Sequence, residues 1–369
     1  MKHLYLTVLA LFTIGTAMAE ESPKKTTEDK NPLTFSGYVD TYYQYNFNGV
    51  KSNLGASGFE RVFDQKANNF QVGLAQFKTT YSTDKVDGVI DLVFGNHADL
   101  GNYGNTLSPL GVTSTALAIK QAYVTWKATD KFSLTAGQFG THIGYEVIDA
   151  PVNFNYSLSN LFANGPFYHT GVKGTFTASD KLAFTVGLVN GIDTKDDNNK
   201  GKGLIAQVFF KPIDKWSVYL NYYGGNEGSD EEKSKYGIVD LTTSCQVTEK
   251  FLVGFNAALG KQSGLGWGGA ALYLNGSITD KFGLGARYEY FDNKSGVRAL
   301  LNADEEGTSV NSFTLTGNVI ISDNLLFKPE LRMDAFSKSA SGAGQFSDSK
   351  GNNTKNSQTT LGGTLIFHF

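Results

Sequence analysis

Leu325-Leu326-Phe327-Lys328-Pro329-Glu330-Leu331-Arg332-Met333-Asp334-Ala335 carries the clearest alternation in the chain. Taken two residues at a time, Leu325, Phe327, Leu331, Met333 and Ala335 fall on one side, and Lys328, Glu330, Arg332 and Asp334 on the other. Side chains alternate across a strand, so this is a strand with an apolar face and a charged face. A soluble sheet can show the same pattern. What separates the possibilities is how often such strands recur.

They recur along the chain. In residues 33–47, Phe35, Gly37, Val39, Tyr43, Tyr45 and Phe47 alternate with Ser36, Tyr38, Asp40, Gln44 and Asn46. Val86, Ile90, Leu92 and Phe94 oppose Asp87 and Asp91, and Phe282, Leu284, Ala286, Tyr288 and Tyr290 oppose Arg287 and Glu289. The last segment sets Leu361, Leu365, Phe367 and Phe369 against Thr360, Thr364 and His368.

A short punctuation mark divides these segments: Thr83-Asp84-Lys85, Thr129-Asp130-Lys131, Ser179-Asp180-Lys181, Ile213-Asp214-Lys215, Thr248-Glu249-Lys250, Thr279-Asp280-Lys281 and Ser322-Asp323-Asn324. Aspartate and asparagine bond their own backbone in tight turns, which assigns the marks to hairpin ends. The other connections are richer in Gly, Asn and Ser and are expected to be longer, near residues 49–67, 95–116, 141–167, 193–201, 225–235, 261–266, 293–307 and 338–356. Seven turns joining strands in pairs, with one further strand at each end, give about sixteen strands.

Composition bounds the setting. Lys2 and His3, an apolar run over residues 4–14 and Ala17-Met18-Ala19 read as a secretion signal over 1–19, cleaved near Ala19. Residues 20–32 read as a flexible lead-in, too short for a plug domain, and 33–369 as one barrel domain. Loss of Lys2 takes the formal charge from −3 to −4, a balance that argues against a nucleic-acid partner. The lone Cys245 excludes an internal disulfide framework. No apolar run after the signal is long enough for a membrane-crossing helix, but a membrane strand needs only alternate apolar residues.

The expected fold is therefore an all-β, transmembrane, antiparallel up-and-down barrel with short periplasmic turns and long extracellular loops. About sixteen strands in an open sheet would leave two unpaired edges; closure removes them and, in lipid, pairs every backbone group. Apolar faces then meet lipid and charged faces meet the interior, and a barrel of this size has room for an aqueous bore. Pro329 inside a strand and the poor alternation of residues 70–81, where Lys78 is in register with Leu74 and Val72, both call for bulges.

Several segments together resemble the OmpL-like β-barrel porin family of Gram-negative outer membranes. They are Gly37-Tyr38-Val39-Asp40 with Tyr42-Tyr43, Gln121-Ala122-Tyr123-Val124, Gly137-Gln138-Phe139 leading to Gly144-Tyr145-Glu146, Asn153-Phe154-Asn155-Tyr156-Ser157, His169-Thr170-Gly171, Arg287-Tyr288-Glu289-Tyr290 and Pro329-Glu330-Leu331-Arg332. The resemblance implies a porin-like channel for small hydrophilic solutes, surrounded by outer-membrane lipid and lipopolysaccharide. It carries over no catalytic residue and no cofactor, and a homotrimer and a monomer both stay open. Phe369 resembles the C-terminal signature by which barrel-assembly machinery recognises its clients.

Two groups of candidate residues follow. Asp40, Asp87, Asp91, Arg287, Glu289, Lys328, Glu330, Arg332 and Asp334 are expected to line the pore, with Lys328 neutralising Glu330 and Arg332 neutralising Asp334, hence weak ion selectivity. The long loop 141–167, with Glu146, Asp149, Asn153 and Asn155, is expected to fold inward and constrict the bore, since inward loops set selectivity through charge. His97, His142, His169 and His368 lie on separate elements without metal-ligand spacing, and no phosphate-binding glycine loop is present, so catalysis has little support. The competing class is a structural or adhesive surface barrel whose long loops bind an external partner.

Overall fold

The computed structural model of the chain describes residues 32–101 and 118–369. The expected signal, the lead-in up to residue 31 and residues 102–116 of the second long connection lie outside them. The strands are β1 (Leu33–Asn46), β2 (Asn69–Ser82), β3 (Val86–Phe94), β4 (Ile119–Thr129), β5 (Phe132–Gly140), β6 (Tyr168–Ser179), β7 (Leu182–Val189), β8 (Gly203–Ile213) and β9 (Trp216–Asn226). They continue as β10 (Lys235–Thr248), β11 (Phe251–Gln262), β12 (Leu265–Thr279), β13 (Phe282–Asn293), β14 (Thr308–Ser322), β15 (Leu325–Phe336), the short hairpin β16 (Phe346–Ser347) and β17 (Asn353–Lys355), and β18 (Ser357–His368). Sixteen of them, all but the short hairpin, form one closed barrel in chain order. β1 closes it antiparallel to β18, pairing Val39 with Phe367 and Tyr43 with Gly363. Among the described residues no helix is long and apolar enough to cross a membrane.

The faces are inverted relative to a soluble protein. On β15, Phe327, Leu331 and Met333 are 37%, 38% and 45% exposed, while Lys328, Arg332 and Asp334 are 1–2% exposed. The same division holds on β13, where Phe282, Leu284 and Tyr288 point out and Arg287 and Glu289 are buried. Apolar side chains outside and charges inside suit a wall in lipid. Leu331 is the seventh of twelve residues in β15, well away from both ends. Leu331→Arg is therefore expected to destabilise the barrel by about 2–4 kcal/mol, read from denaturant unfolding in lipid vesicles. A cost indistinguishable from that of Leu331→Ala would contradict the lipid-facing assignment.

All seven punctuation marks are hairpin turns. In five of them the bond that shapes the turn comes from the hydroxyl ahead of the acidic residue, a correction to the expected aspartate contact. Thr83 Oγ1 accepts from Val86 N at 3.0 Å and Thr129 Oγ1 from Phe132 N at 3.0 Å, and Ser179, Thr248 and Thr279 accept from the lysine two residues on. The connection expected as a loop over 261–266 is instead a two-residue turn, Ser263–Gly264, between β11 and β12. Both residues have positive φ, 50° and 92°, which matches the right-handed twist of a tight hairpin.

The irregular strand β2 contains the expected bulge. Val39 pairs with Ala75 and Thr41 with Val72, so Gly73 and Leu74 both lie opposite Asp40. The extra residue switches the facing of all that follows. Val72 points outward at 47% exposure, whereas Leu74 is fully buried and Lys78 shares its inner face. A Cβ on Gly73 would stand 2.0 Å from Asp40 Oδ1, so the glycine makes room for that carboxylate. Pro329 is accommodated differently from the expected bulge. The β14–β15 register is the same before and after it, with Thr316 opposite Glu330 and Val319 opposite Phe327. The ladder lapses between those pairs, the one register shift lying at the turn between Ile320 and Ser322, and Gly317 provides space beside the proline ring, where a Cβ would meet Pro329 Cγ at 3.1 Å.

Candidate functional site

The charged inner wall meets protein. The connection 141–167 leaves β5 and crosses the bore, and Gly144 N donates to Asp240 Oδ1 on β10 at 3.0 Å. From there the wall side chains pair with the loop according to their chemistry. Carboxylates take its N–H groups: Glu330 accepts from Tyr156 N at 2.7 Å and Ser157 N at 3.1 Å, and Glu289 accepts from Asn160 N at 2.8 Å and Leu161 N at 2.7 Å. Cations take its carbonyls: Arg332 donates to Leu158 O at 2.7 Å, Arg287 to Ser157 O at 2.7 Å, and Lys328 to Ala150 O at 2.8 Å and to Asn153 O. An inserted loop brings backbone polar groups that must be satisfied, and an ionised wall supplies strong partners for them.

The constriction candidates hold this loop in shape. Glu146 pairs with Arg287 and accepts from Ser159 N at 2.7 Å. Asp149 pairs with Lys120 on β4 at 2.5 Å and accepts from Gln76 Nε2 at 2.9 Å. Asn153 brackets Val147, accepting from its N at 3.1 Å and donating to its carbonyl. Asn155 Nδ2 donates to Thr316 Oγ1 at 2.8 Å. Ser159 caps the one-turn helix Asn160–Asn164 by accepting from Phe162 N at 3.0 Å, and Glu289 binds the N–H groups at the same end. A void of about 10 Å³, room for one water molecule, remains beside Tyr145, Glu146, Asn153 and Tyr273.

The wall charges differ from expectation in their partners. Arg332 Nε does pair with Asp334 at 2.9 Å, but Lys328 turns to the loop carbonyls and Glu330 to the loop N–H groups and Thr316. Asp40 accepts from the Tyr156 hydroxyl at 2.8 Å and from Leu74 N at 3.1 Å. Asp87 pairs with Lys127 at 2.6 Å, and Asp91 lies 3.3 Å from Lys120 and accepts from Gln76 at 3.1 Å. The expectation that these groups are bathed by water is corrected: all nine are 8% exposed or less.

A second loop, 47–68, also enters the bore, and sequence reasoning missed it. Arg61 is 2% exposed and donates to Asp334 Oδ2 at 2.7 Å and Thr360 Oγ1 at 3.0 Å, and it pairs with Asp64. Gln44 Nε2 donates to Asp64 at 2.9 Å. The available signal was Phe63 beside Arg61 and Asp64, an aromatic among charges in a loop otherwise free of periodicity. Phe63 joins Tyr42, Tyr156, Phe162 and His97 in an interior cluster that welds the two loops and the short helix Asn96–Leu100 together.

The histidines are partly brought together. His142 and His169 stand 5.9 Å apart by ring centroids, with Tyr223 stacked on His169 at 5.4 Å. Among the described residues no group of three His, Cys, Asp or Glu could hold a metal. Outside the strands, Asp193 anchors the exit of the crossing loop by accepting from Phe167 N and Tyr168 N at 2.6 and 3.0 Å, and burial pushes its carboxyl up to about 7.

The wall of β5–β9 is of another kind. Thr125 on β4 bonds the buried Thr135 at 2.8 Å and Thr175 bonds Thr185 at 2.9 Å, both half-buried, giving a band of hydroxyls in the half of the bore nearer the short turns. Below it a hollow of about 200 Å³ opens among Lys85, Lys127, Asp130, Lys131, Ser133 and Thr177.

A family profile described as "Putative beta-barrel porin-2, OmpL-like" matches residues 32–369. No curated protein matches the chain in sequence. Among solved structures, the outer membrane channel DcaP of Acinetobacter baumannii superposes with a TM-score of 0.60 at 13% identity, over 91% of this chain and 97% of that one. An anion-selective porin from Comamonas acidovorans gives 0.57 at 12%, over 91% and 99%. OmpT lacking loop L8, an outer membrane protein of Vibrio cholerae, gives 0.55 at 12%, over 91% and 99%. At such identities these likenesses speak for the fold.

Proposed function

The chain belongs to the OmpL-like beta-barrel porin-2 family, and from that premise we propose that this outer-membrane barrel is a narrow porin, passing small hydrophilic solutes and ions by passive diffusion through a bore that its own loops constrict. The observation that carries the reading is the inverted wall, apolar outside and polar inside around a closed ring of sixteen strands. A barrel of this size without inserted segments would hold a wide aqueous channel. Glu146, Asp149, Asn153 and Asn155 fix the constricting loop, and six of the nine wall charges, Asp40, Arg287, Glu289, Lys328, Glu330 and Arg332, grip it. Because most of those charges are neutralised by the loop or by one another, they contribute little net ion preference. The segment 1–19 directs export and is removed near Ala19, residues 20–32 lead into the barrel, and Phe369 presents the last strand to assembly machinery. Lipid and lipopolysaccharide surround the apolar face.

A second reading is favoured by one observation: loops 47–68 and 141–167 pack buried side chains into the bore, and 141–167 reaches as deep as Asn318 and Lys328 near the short turns. A barrel sealed in this way would serve as a surface scaffold whose outer loops bind a partner. Reconstitution separates the two. A porin gives single-channel steps in a planar bilayer and lets vesicles swell in small sugars, whereas a scaffold leaves both the bilayer and the vesicles impermeable.

A further inference from the structure

The interior charges are unevenly distributed around the ring. Strands β5 to β9 contain no aspartate or glutamate, and their only charged side chains are Lys173 and Lys211. Both face inward by alternation, since Val172, Phe176, Val208 and Phe210 are exposed on the outer face. Lys173 Nζ lies 4.3 Å from the centroid of the Phe139 ring, a cation–π contact that leaves its charge unneutralised. Neither lysine forms an ion pair among the described residues. On the neighbouring β4 both inward lysines do: Lys120 pairs with Asp91 and Asp149, and Lys127 with Asp87. Besides the buried imidazole of His169, the remaining interior side chains of β5–β7 carry no formal charge of either sign at neutral pH, and include Gln138 and the hydroxyls of Ser133, Thr135, Thr175 and Thr185.

We propose that Lys173 and Lys211 make this carboxylate-free wall an anion-attracting lane, so that the passengers of the bore are small anionic solutes and chloride in preference to cations. This rests on the porin reading and sharpens it. Two cations without counter-charges on a low-dielectric wall raise the local anion concentration, because field lines in a narrow bore are poorly screened. The charges elsewhere in the interior are tied to one another or to loop backbone and amide groups, and this pair is left to set the sign.

The test has two arms. In planar bilayers under a KCl gradient, the protein is expected to favour chloride over potassium roughly three-fold, the double variant Lys173→Gln/Lys211→Gln to fall to about one, and Lys173→Arg/Lys211→Arg to keep the preference. A cation preference, or a Gln variant matching the parent, overturns the proposal. The second arm does not depend on conduction. In detergent-solubilised protein with Cys245→Ser and Thr185→Cys, a sulfonate-bearing methanethiosulfonate is expected to react roughly three-fold faster than its trimethylammonium counterpart, after correction for their rates with a free thiol. The lysine-to-glutamine changes should remove the difference. Equal corrected rates in the parent overturn the lane whether or not current flows, whereas absence of conductance with the rate difference intact defeats the porin reading alone.

Discussion

Removing residues 153–163 is expected to raise single-channel conductance at least about three-fold, because a sixteen-strand ring encloses far more space than the filled bore leaves. The excised segment contains Asn155, Tyr156, Ser157, Leu158, Asn160 and Leu161, which occupy Thr316, Glu330, Arg332 and Glu289 on the far wall. With the segment gone, those charges face water. They are then solvated, so the barrel should survive while the bore widens. Ion preference should also change, since Glu289 and Glu330 lose the N–H groups that hold them. Unchanged conductance in a correctly folded variant would show that the loop does not limit flow.

The second large effect is expected at Asp334. This one carboxylate, 1% exposed, accepts from Arg61 at 2.7 Å, Arg332 at 2.9 Å and Ser312 at 2.7 Å. Asp334→Asn keeps the shape but leaves two guanidinium groups short of their counter-charge in the interior. Breaking a buried pair in this way costs about 3–5 kcal/mol, more than the pair itself is worth, because an uncompensated charge stays buried. The loss would be measured as a shift in the urea midpoint of the folded barrel in lipid. Adding Arg61→Met should restore part of it, since that removes one of the stranded cations. A single-variant cost below about 1 kcal/mol would mean that water reaches the site.

The extent to which the chain could be read from residues alone follows from the range of each interaction. Alternation is local, so Leu325 to Ala335 and its counterparts reveal the wall and both its faces. Turn chemistry is local too, and all seven marks locate hairpins, although the hydroxyls of Thr83 and Thr129 rather than the acids make the shaping bonds. A single added residue defeats the pattern from that point onward, as at Gly73, where Leu74 changes sides. Ser263–Gly264 escaped notice because serine rarely announces a positive φ. Partners distant in sequence are the least legible: Lys328 has Glu330 two residues away and chooses carbonyls at Ala150 and Asn153 instead. Loop 141–167 drew attention through its acids and amides. Loop 47–68 did not, because nothing in its own residues indicates that Arg61 will meet Asp334.

The Ser263–Gly264 turn also has a practical corollary. Every other connection on that rim is longer, so the turn between β11 and β12 is the place where the least loop stands on the rim. A peptide grafted there would extend a corner and leave the two bore-filling segments intact. That makes it the place to display an epitope, and antibody staining of intact cells carrying such a graft would reveal which end of the cylinder faces the surroundings.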